Sequence, residues 1–377
     1  MEQKIIRADE NYKEFMEWLR DKRPILVCDG SIDFLTDLSR KLEESGEEII
    51  RFSDFQPNPL YESVVKGVEV FHNKNCDSII AVGGGSAIDV AKCIKIYSNM
   101  SGDGADGDYL KQEITGNNIP FLAMPTTAGT GSEATKYAVI YYNGKKQSIT
   151  SENCIPTTVL LDASALKTLP LYQKKSTMLD ALCHAVESFW SVNSTEVSKG
   201  YSRSAIMGVL ENMEGYLANT KEGNAGMLQA AHIAGKAINI TQTTAGHAMC
   251  YGITSLFGVA HGHAAALCIR KLWPFMIKHM DGHCSDPRGK EYLGRVFEEI
   301  AKAFGCLSAE QAAWKFNALF LDLDMDIPDA SDEEVRRLAN EVNPVRVKNN
   351  PVRFSSNEFY SLYGQILNTK EALVKGV

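Results

Sequence analysis

Ser78-Ile-Ile-Ala-Val-Gly-Gly-Gly-Ser-Ala-Ile-Asp-Val-Ala-Lys92 sets the architecture of the first half of the chain. It reads as a short apolar strand, a glycine turn and the opening of a helix. Glycines let the backbone come close to a bound phosphate, and the helix behind them offers unpaired N–H groups and a positive dipole end. The plainer reading is a strand-to-helix turn with no ligand. The usual Gly-x-Gly-x-x-Gly spacing is not met, because Ile88 stands at the third glycine position.

Outward from this turn, short β-rich runs alternate with helical stretches. The expected strands are Pro24 to Asp29, Glu48 to Phe52, Asp77 to Val82, Pro120 to Met124 and Thr157 to Asp162. Helices are expected near residues 31–45, 58–75 and 86–99, and Ser101 to Asp108 reads as a polar, flexible loop. Such alternation predicts a parallel sheet covered on both faces. After Asp162 strand-like runs mostly vanish and helical spacing takes over. The expected division is an α/β domain with a Rossmann-like parallel sheet over 1–164 and an all-α domain over 165–377.

The 377 residues suffice for two such cores. A formal net charge of -8 argues against a general nucleic-acid or anionic-membrane binder, which needs a basic face, but leaves room for a small anionic substrate. The first ten residues carry no apolar secretory signal, and no apolar run is long enough to span a membrane. Nine cysteines without a Cys-x-x-Cys pair read as reduced thiols, so a cytoplasmic protein is expected.

Two further polar features belong to the first half. Pro125-Thr-Thr-Ala-Gly-Thr-Gly-Ser-Glu133 follows a strong strand, and its hydroxyls suit contacts to a pyrophosphate, ribose or nicotinamide amide. Its plainer reading is a loop whose hydroxyls bond their own backbone. Asp29, before Gly30, either begins a turn or accepts from a ribose hydroxyl. In the second case it repels a 2′-phosphate and favours NAD(H) over NADP(H), without excluding the latter.

In the second half Asp180 and His184 stand four apart in Leu179-Asp-Ala-Leu-Cys-His-Ala-Val-Glu187, on one face of an expected helix. His247 and His261 flank an apolar run with glycine breaks. One carboxylate and three imidazoles suit a divalent borderline metal, Fe(II) or Zn(II), able to polarise a carbonyl or alkoxide oxygen. Each piece alone is as easily a packing coincidence.

Together these segments resemble the iron-containing, group III alcohol dehydrogenase family over essentially the whole chain. The resemblance implies that Gly83, Gly84, Gly85, Ser86 and Asp89 belong to a dinucleotide-binding segment, with Thr126, Thr127, Thr130 and Ser132 lying over the cofactor. It implies Asp180, His184, His247 and His261 as ligands of Fe(II), and Lys146, or Lys145 beside it, as a lysine close to the cofactor. It also implies reversible reduction of an aldehyde to a primary alcohol, and a homodimer is compatible with it. A nearer resemblance, to the phosphonoacetaldehyde reductase branch, rests on Cys183 to Thr195, Thr243 to Tyr251 with His261 to His263, and Asn343 to Val352.

That branch implies an anionic phosphonate substrate, for which Arg270, Lys271, Arg346, Lys348 and Arg353 are candidate anchors. Many family members have a second histidine, thought to relay the proton, where this chain has Tyr251. The relay then falls to Tyr251, His263, a ribose hydroxyl or water. The alternatives are a broad short-chain alcohol or diol dehydrogenase and a dehydroquinate-synthase-like lyase.

Overall fold

The structure, a computed structural model, describes residues 3–8, 12–30 and 35–369. The chain divides into two units, Met1–Leu169 with Ala218–His232, and Pro170–Leu217 with Ile233–Val377.

In the first unit the elements run β1 (Lys4–Arg7), α1 (Lys13–Leu19), β2 (Pro24–Cys28), α2 (Thr36–Glu44), β3 (Ile50–Phe52), α3 (Tyr61–Asn73), β4 (Ser78–Gly83) and α4 (Gly85–Tyr97). They continue with β5 (Phe121–Pro125), β6 (Tyr137–Tyr142), β7 (Lys145–Thr150) and β8 (Thr158–Leu161). Six strands form one sheet in the order β1-β8-β5-β4-β2-β3, and every neighbouring pair is parallel. The central strands are buried along their whole length, because helices cover both faces.

The two-residue period of each strand divides its side chains between two cores. Ile25, Val27, Ile79, Ala81, Phe121 and Ala123 pack with α3 and α4 through Val64, Val68, Ile88 and Ile94. Leu26, Cys28, Ile80, Val82, Leu122 and Met124 pack with Phe15, Leu19, Leu38 and Leu42 of α1 and α2.

The five expected strands and three expected helices are present, each displaced by a few residues at its ends. Residues 31–34 of the expected 31–45 helix lie outside the described residues, as do residues 1, 2, 9 and 10 of the N-terminal stretch. Three strands were not expected. β1 has only four residues, two isoleucines between two charged residues, and β6 and β7 form an antiparallel hairpin. Its turn is Asn143-Gly144, both at positive φ, the two-residue turn that suits strand twist. The Ser101–Asp108 loop is also more structured than expected. Ala105–Lys111 contains 3₁₀ turns interrupted at Asp106 and Gly107, both at positive φ, and the Tyr61 hydroxyl donates to the Gly104 carbonyl at 2.7 Å while accepting from the Tyr109 N–H at 3.1 Å.

In the second unit α5 (Leu171–Trp190), α6 (Glu196–Leu217), the later part of α7 (Lys221–Thr241), α8 (Ala245–Phe257) and α9 (His261–His283) come first. Then follow α10 (Lys290–Ala303), α11 (Ala309–Asp322), β9 (Asp329–Ala330), α12 (Asp332–Glu341), α13 (Pro344–Val347), α14 (Ser356–Ile366) and β10 (Asn368–Thr369). The exceptions to its helical character among the described residues are the two-residue parallel pairing of β9 with β10 and an isolated antiparallel bridge between Cys284 and Val352. The beginning of α7 packs with the first unit: Arg7 donates to Gln229 at 2.8 Å, and His232 meets Glu133 at 3.2 Å. Among the described residues no helix is long and apolar enough to cross a membrane.

Candidate metal centre and cofactor cradle

From β2 the chain steps outward to β3, then returns to the other side of β2 as β4. That reversal makes the carboxyl ends of β2 and β4 the topological switch point, where open parallel sheets bind ligands. Asp29 and the Gly83–Gly85 turn stand there, since Cys28 pairs with Val82. The Asp29 carboxylate lies 3.7 Å from where a Gly83 Cβ would stand. A Cβ at Gly84 would rest against Thr127, and one at Gly85 would be 3.3 Å from Thr130. Thr126 donates its N–H to the Gly83 carbonyl at 3.0 Å. The Thr126–Ser132 loop therefore lies on the glycine turn. The first turn of α4 has no side-chain cap, so its N–H groups suit an anion.

Asp89 and Ser132 bond to each other. Asp89 accepts from the Ser132 hydroxyl at 2.6 Å and from the Val139 N–H at 2.9 Å. Lys92, fully buried, donates to Ser132 Oγ at 3.0 Å, Thr135 Oγ1 at 3.2 Å and the Tyr137 carbonyl at 2.6 Å. Burial pushes the Asp89 carboxyl up, while Lys92, Ser132, Val139 and Lys146 on β7 oppose it. This network ties α4 to the polar loop and the hairpin. Sequence reasoning quoted Lys92 without seeing that role, which only a buried cation's need for partners makes visible.

In the second unit Asp180, His247 and His261 bring one ligand atom each to within 4.8 Å of one another. Asp180 Oδ1 is 3.4 Å from His247 Nε2 and 3.9 Å from His184 Nε2, and the His184 ring stacks on His247 with centroids 4.5 Å apart. The helices meet here because glycine lets them. A Cβ on Gly262 would fall 2.1 Å from the Ser176 carbonyl and 2.6 Å from Asp180 Cβ. A Cβ on Gly246 would fall 2.7 Å from Ile269. Burial opposes the Asp180 charge, yet the three imidazoles hold its pKa well below the usual carboxylate range. Burial alone would lower His247, but Glu187 and Asp180 outweigh it and hold it up at about 9. These donors, gathered around a buried carboxylate, fit a divalent borderline ion.

Glu187 was missed as a functional residue. Its Oε2 accepts from Nδ1 of His247, and its Oε1 accepts from the Thr244 hydroxyl at 2.6 Å. It stands seven residues after Asp180, so Asp180, His184 and Glu187 share one face of α5, a spacing visible in the sequence. Nδ1 of His261 lies 3.6 Å from the Cys250 thiol. In both histidines Nδ1 is engaged, so Nε2 is the atom each would offer to an ion.

Tyr251 lies against His261, ring centroids 5.2 Å apart, and its hydroxyl accepts from Arg346 Nη1 at 2.8 Å. His263 is held differently. Its Nε2 is 2.8 Å from the Asp326 carbonyl and its Nδ1 3.1 Å from the Tyr172 hydroxyl, so both ring nitrogens are occupied.

The iron-containing alcohol dehydrogenase family matches residues 3–163, and its C-terminal region matches residues 174–367. The chain belongs to the iron-containing alcohol dehydrogenase family. A phosphonoacetaldehyde reductase of Streptomyces viridochromogenes is 31% identical over 302 residues, covering 77% of this chain and 76% of its own. Among solved structures, sulfoacetaldehyde reductase of Bifidobacterium kashiwanohense in complex with NAD+ superposes with a TM-score of 0.86 at 24% identity, over 97% of this chain and 96% of that one. An iron-containing alcohol dehydrogenase of Thermotoga maritima superposes with a TM-score of 0.77 at 26% identity, over 97% and 98%. The family is one of oxidoreductases, which answers the lyase alternative.

Proposed function

We propose that this protein reversibly reduces an aldehyde to a primary alcohol with a divalent metal and NAD(H), and that its substrate is phosphonoacetaldehyde, giving 2-hydroxyethylphosphonate. The observation that carries the reading is the Asp180, His247 and His261 cluster, with His184 beside it, on a chain of this family. The substrate is that of the Streptomyces viridochromogenes relative.

Asp180, His184, His247 and His261 would hold Fe(II), with Zn(II) acceptable to the same donors. The Gly83–Ser86 turn, Asp29 and the Thr126–Ser132 loop would hold the dinucleotide, with Lys146 nearby. When bound, the ion supplies Lewis acidity toward a carbonyl oxygen and the nicotinamide supplies hydride.

The chain's own residues do the rest. Glu187 fixes the tautomer and orientation of His247, and Asp180 supplies the anionic donor among the imidazoles. Burial pushes Tyr251 up to about 12 against the opposing effect of Arg346, so its phenol is protonated at neutral pH. Its oxygen accepts from Arg346, and a protonated phenol is a group that can give a proton to a developing alkoxide or a bridging water. We assign the relay to Tyr251 rather than His263, whose two nitrogens are bonded elsewhere.

NADH oxidation should be followed with phosphonoacetaldehyde, propanal and lactaldehyde, after chelation and after reloading with Fe(II) or Zn(II). Turnover that is lost on chelation and restored by metal, with phosphonoacetaldehyde preferred, is the expected result. Equal efficiency on the neutral aldehydes would favour the broad dehydrogenase instead, and no oxidation with any aldehyde would overturn the reading.

A further inference from the structure

The charges around the candidate metal site determine what kind of aldehyde it can accept. Asp180 and Glu187 are both buried carboxylates within it. Together they carry two negative charges, which a divalent ion only neutralises. A substrate with its own anionic group therefore gains no net attraction from that centre, and needs a separate cation.

Arg346 is placed to be that cation. Its guanidinium carbon lies 4.6 Å from the centre of the Tyr251 ring, and that ring lies against His261. One aromatic ring thus separates the guanidinium from a ligand of the metal site. The other four cations considered from sequence have different settings. Arg270 is buried, donates to the Ile366 carbonyl at 3.0 Å and lies over Phe320. Lys348 and Arg353 line a different cavity of about 630 Å³ beside Phe354 and Phe359. Lys271 follows Arg270 on α9, where burial and that arginine both lower its pKa.

The segment bearing Arg346 is fixed on several sides. Asn343 caps α13 through its side chain, and Pro344 starts the helix. Asn349 donates to Gln242 at 2.9 Å, while the buried Asn350 donates to the Val352 carbonyl at 2.7 Å and accepts from the Ala245 N–H at 3.4 Å. Gln242 and Ala245 lie close before His247 in sequence, so these bonds hold the arginine in register with the ligand-bearing helix. A preorganised planar fork grips a tetrahedral or planar oxyanion with two parallel N–H bonds.

We propose that Arg346, stacked on Tyr251 beside His261, is the residue that selects aldehydes carrying a terminal oxyanion over neutral ones. The proposal rests on the aldehyde-reductase reading of the site and narrows its substrate class. Phosphonate, sulfonate and carboxylate share the chemistry, and the assay below separates them.

The metal-loaded enzyme and its R346K and R346M variants are compared with phosphonoacetaldehyde, sulfoacetaldehyde, succinate semialdehyde and propanal. Calorimetric binding of 2-hydroxyethylphosphonate gives a readout independent of turnover. R346M should raise the KM for the preferred anionic aldehyde, and the Kd of the phosphonate, by about 100-fold. Loss of the Arg346–Tyr251 bond falls on kcat for charged and neutral aldehydes alike, so the role is read from the ratio of charged to neutral efficiency, which should fall by about 100-fold. R346K, which keeps the charge without the fork, should fall between. Equal losses on charged and neutral aldehydes, or a loss confined to kcat, would overturn the selectivity role. So would a wild-type enzyme that reduces propanal as well as every anionic aldehyde. A wild type inert toward all four aldehydes would overturn the underlying reading, and this proposal with it. Should R346M fail to fold, the R346K ratio of charged to neutral efficiency decides the point alone.

Discussion

Glu187 holds His247 from behind: its buried carboxylate accepts the Nδ1 proton, so Nε2 is turned toward Asp180. The same carboxylate accepts from the Thr244 hydroxyl and from two backbone N–H groups at the start of α8. One side chain on α5 therefore fixes both the tautomer of a candidate ligand and the end of the helix that carries it. Glu187→Gln should lower metal affinity by about 10–100-fold, the range typical for loss of such a partner. Metal titration followed by chromatography should find the variant under-loaded, with activity recovered at excess Fe(II). Full loading at wild-type affinity would show the pair to be incidental.

Gly262 should be irreplaceable for a reason that is visible in distances alone. A methyl group there would collide with the Ser176 carbonyl and the Asp180 backbone, forcing α9 away from α5. Gly262→Ala should destabilise by more than the ~1–3 kcal/mol of ordinary overpacking, because backbone must move. It should also lower metal binding, since His261 would be carried away from Asp180. Gly294, inside α10, is the contrasting case: its added Cβ would meet only Met280 Cε at 3.9 Å. Gly294→Ala should raise stability by about 0.5–1 kcal/mol. Paired denaturant melts test both.

Much of this site is legible in sequence because helices and strands are periodic. Asp180 and His184 read as a pair through their four-residue spacing, and Gly83–Gly85 read as a turn after a buried strand. Glu187 was equally available from the same helical face, yet a carboxylate seven residues on has no meaning until its partner His247 is known to sit opposite. The Asn143-Gly144 hairpin was a local signal passed over beside the longer strand runs. Arg346 is a different matter: it lies 95 residues from Tyr251, and only tertiary packing joins them. The switch point at Asp29 and Gly83 likewise depends on strand order, which local periodicity does not encode.

His263 offers a way to separate structure from chemistry. Its ring bridges the Tyr172 hydroxyl and the Asp326 carbonyl, and burial lowers its pKa so that it stays neutral. His263→Gln should destabilise by about 1–3 kcal/mol through the buried groups it leaves unpaired. The kcat pH profile should keep its shape, whereas Tyr251→Phe should lower kcat by about 10²–10⁴-fold if its phenol passes the proton. A changed profile in the His263 variant and an unchanged kcat in the Tyr251 variant would reverse the assignment.

Lys92 tests the link between the buried network and cofactor binding. Its ammonium holds Ser132, Thr135 and the Tyr137 carbonyl, with the Asp89 carboxylate 4.0 Å away. Lys92→Met leaves Asp89 without its buried cation, and should cost about 3–5 kcal/mol. Adding Asp89→Asn should restore part of that, since the two changes act on one network. NADH titration should find weaker binding in the single variant, because Ser132 anchors the loop that lies on Gly83–Gly85. The pH dependence gives a further check. Burial pulls the Lys92 pKa below its ordinary 10.5, with Asp89 opposing. Between the lowered native value and 10.5 the unfolded chain binds the proton that the native state has released. Stability attributable to this group therefore rises with pH across that window. The wild-type minus Lys92→Met difference in unfolding free energy should accordingly grow as pH increases toward 10.5, and a difference that falls with pH would place the lysine's ordinary charge state, not its desolvation, at the centre of the network.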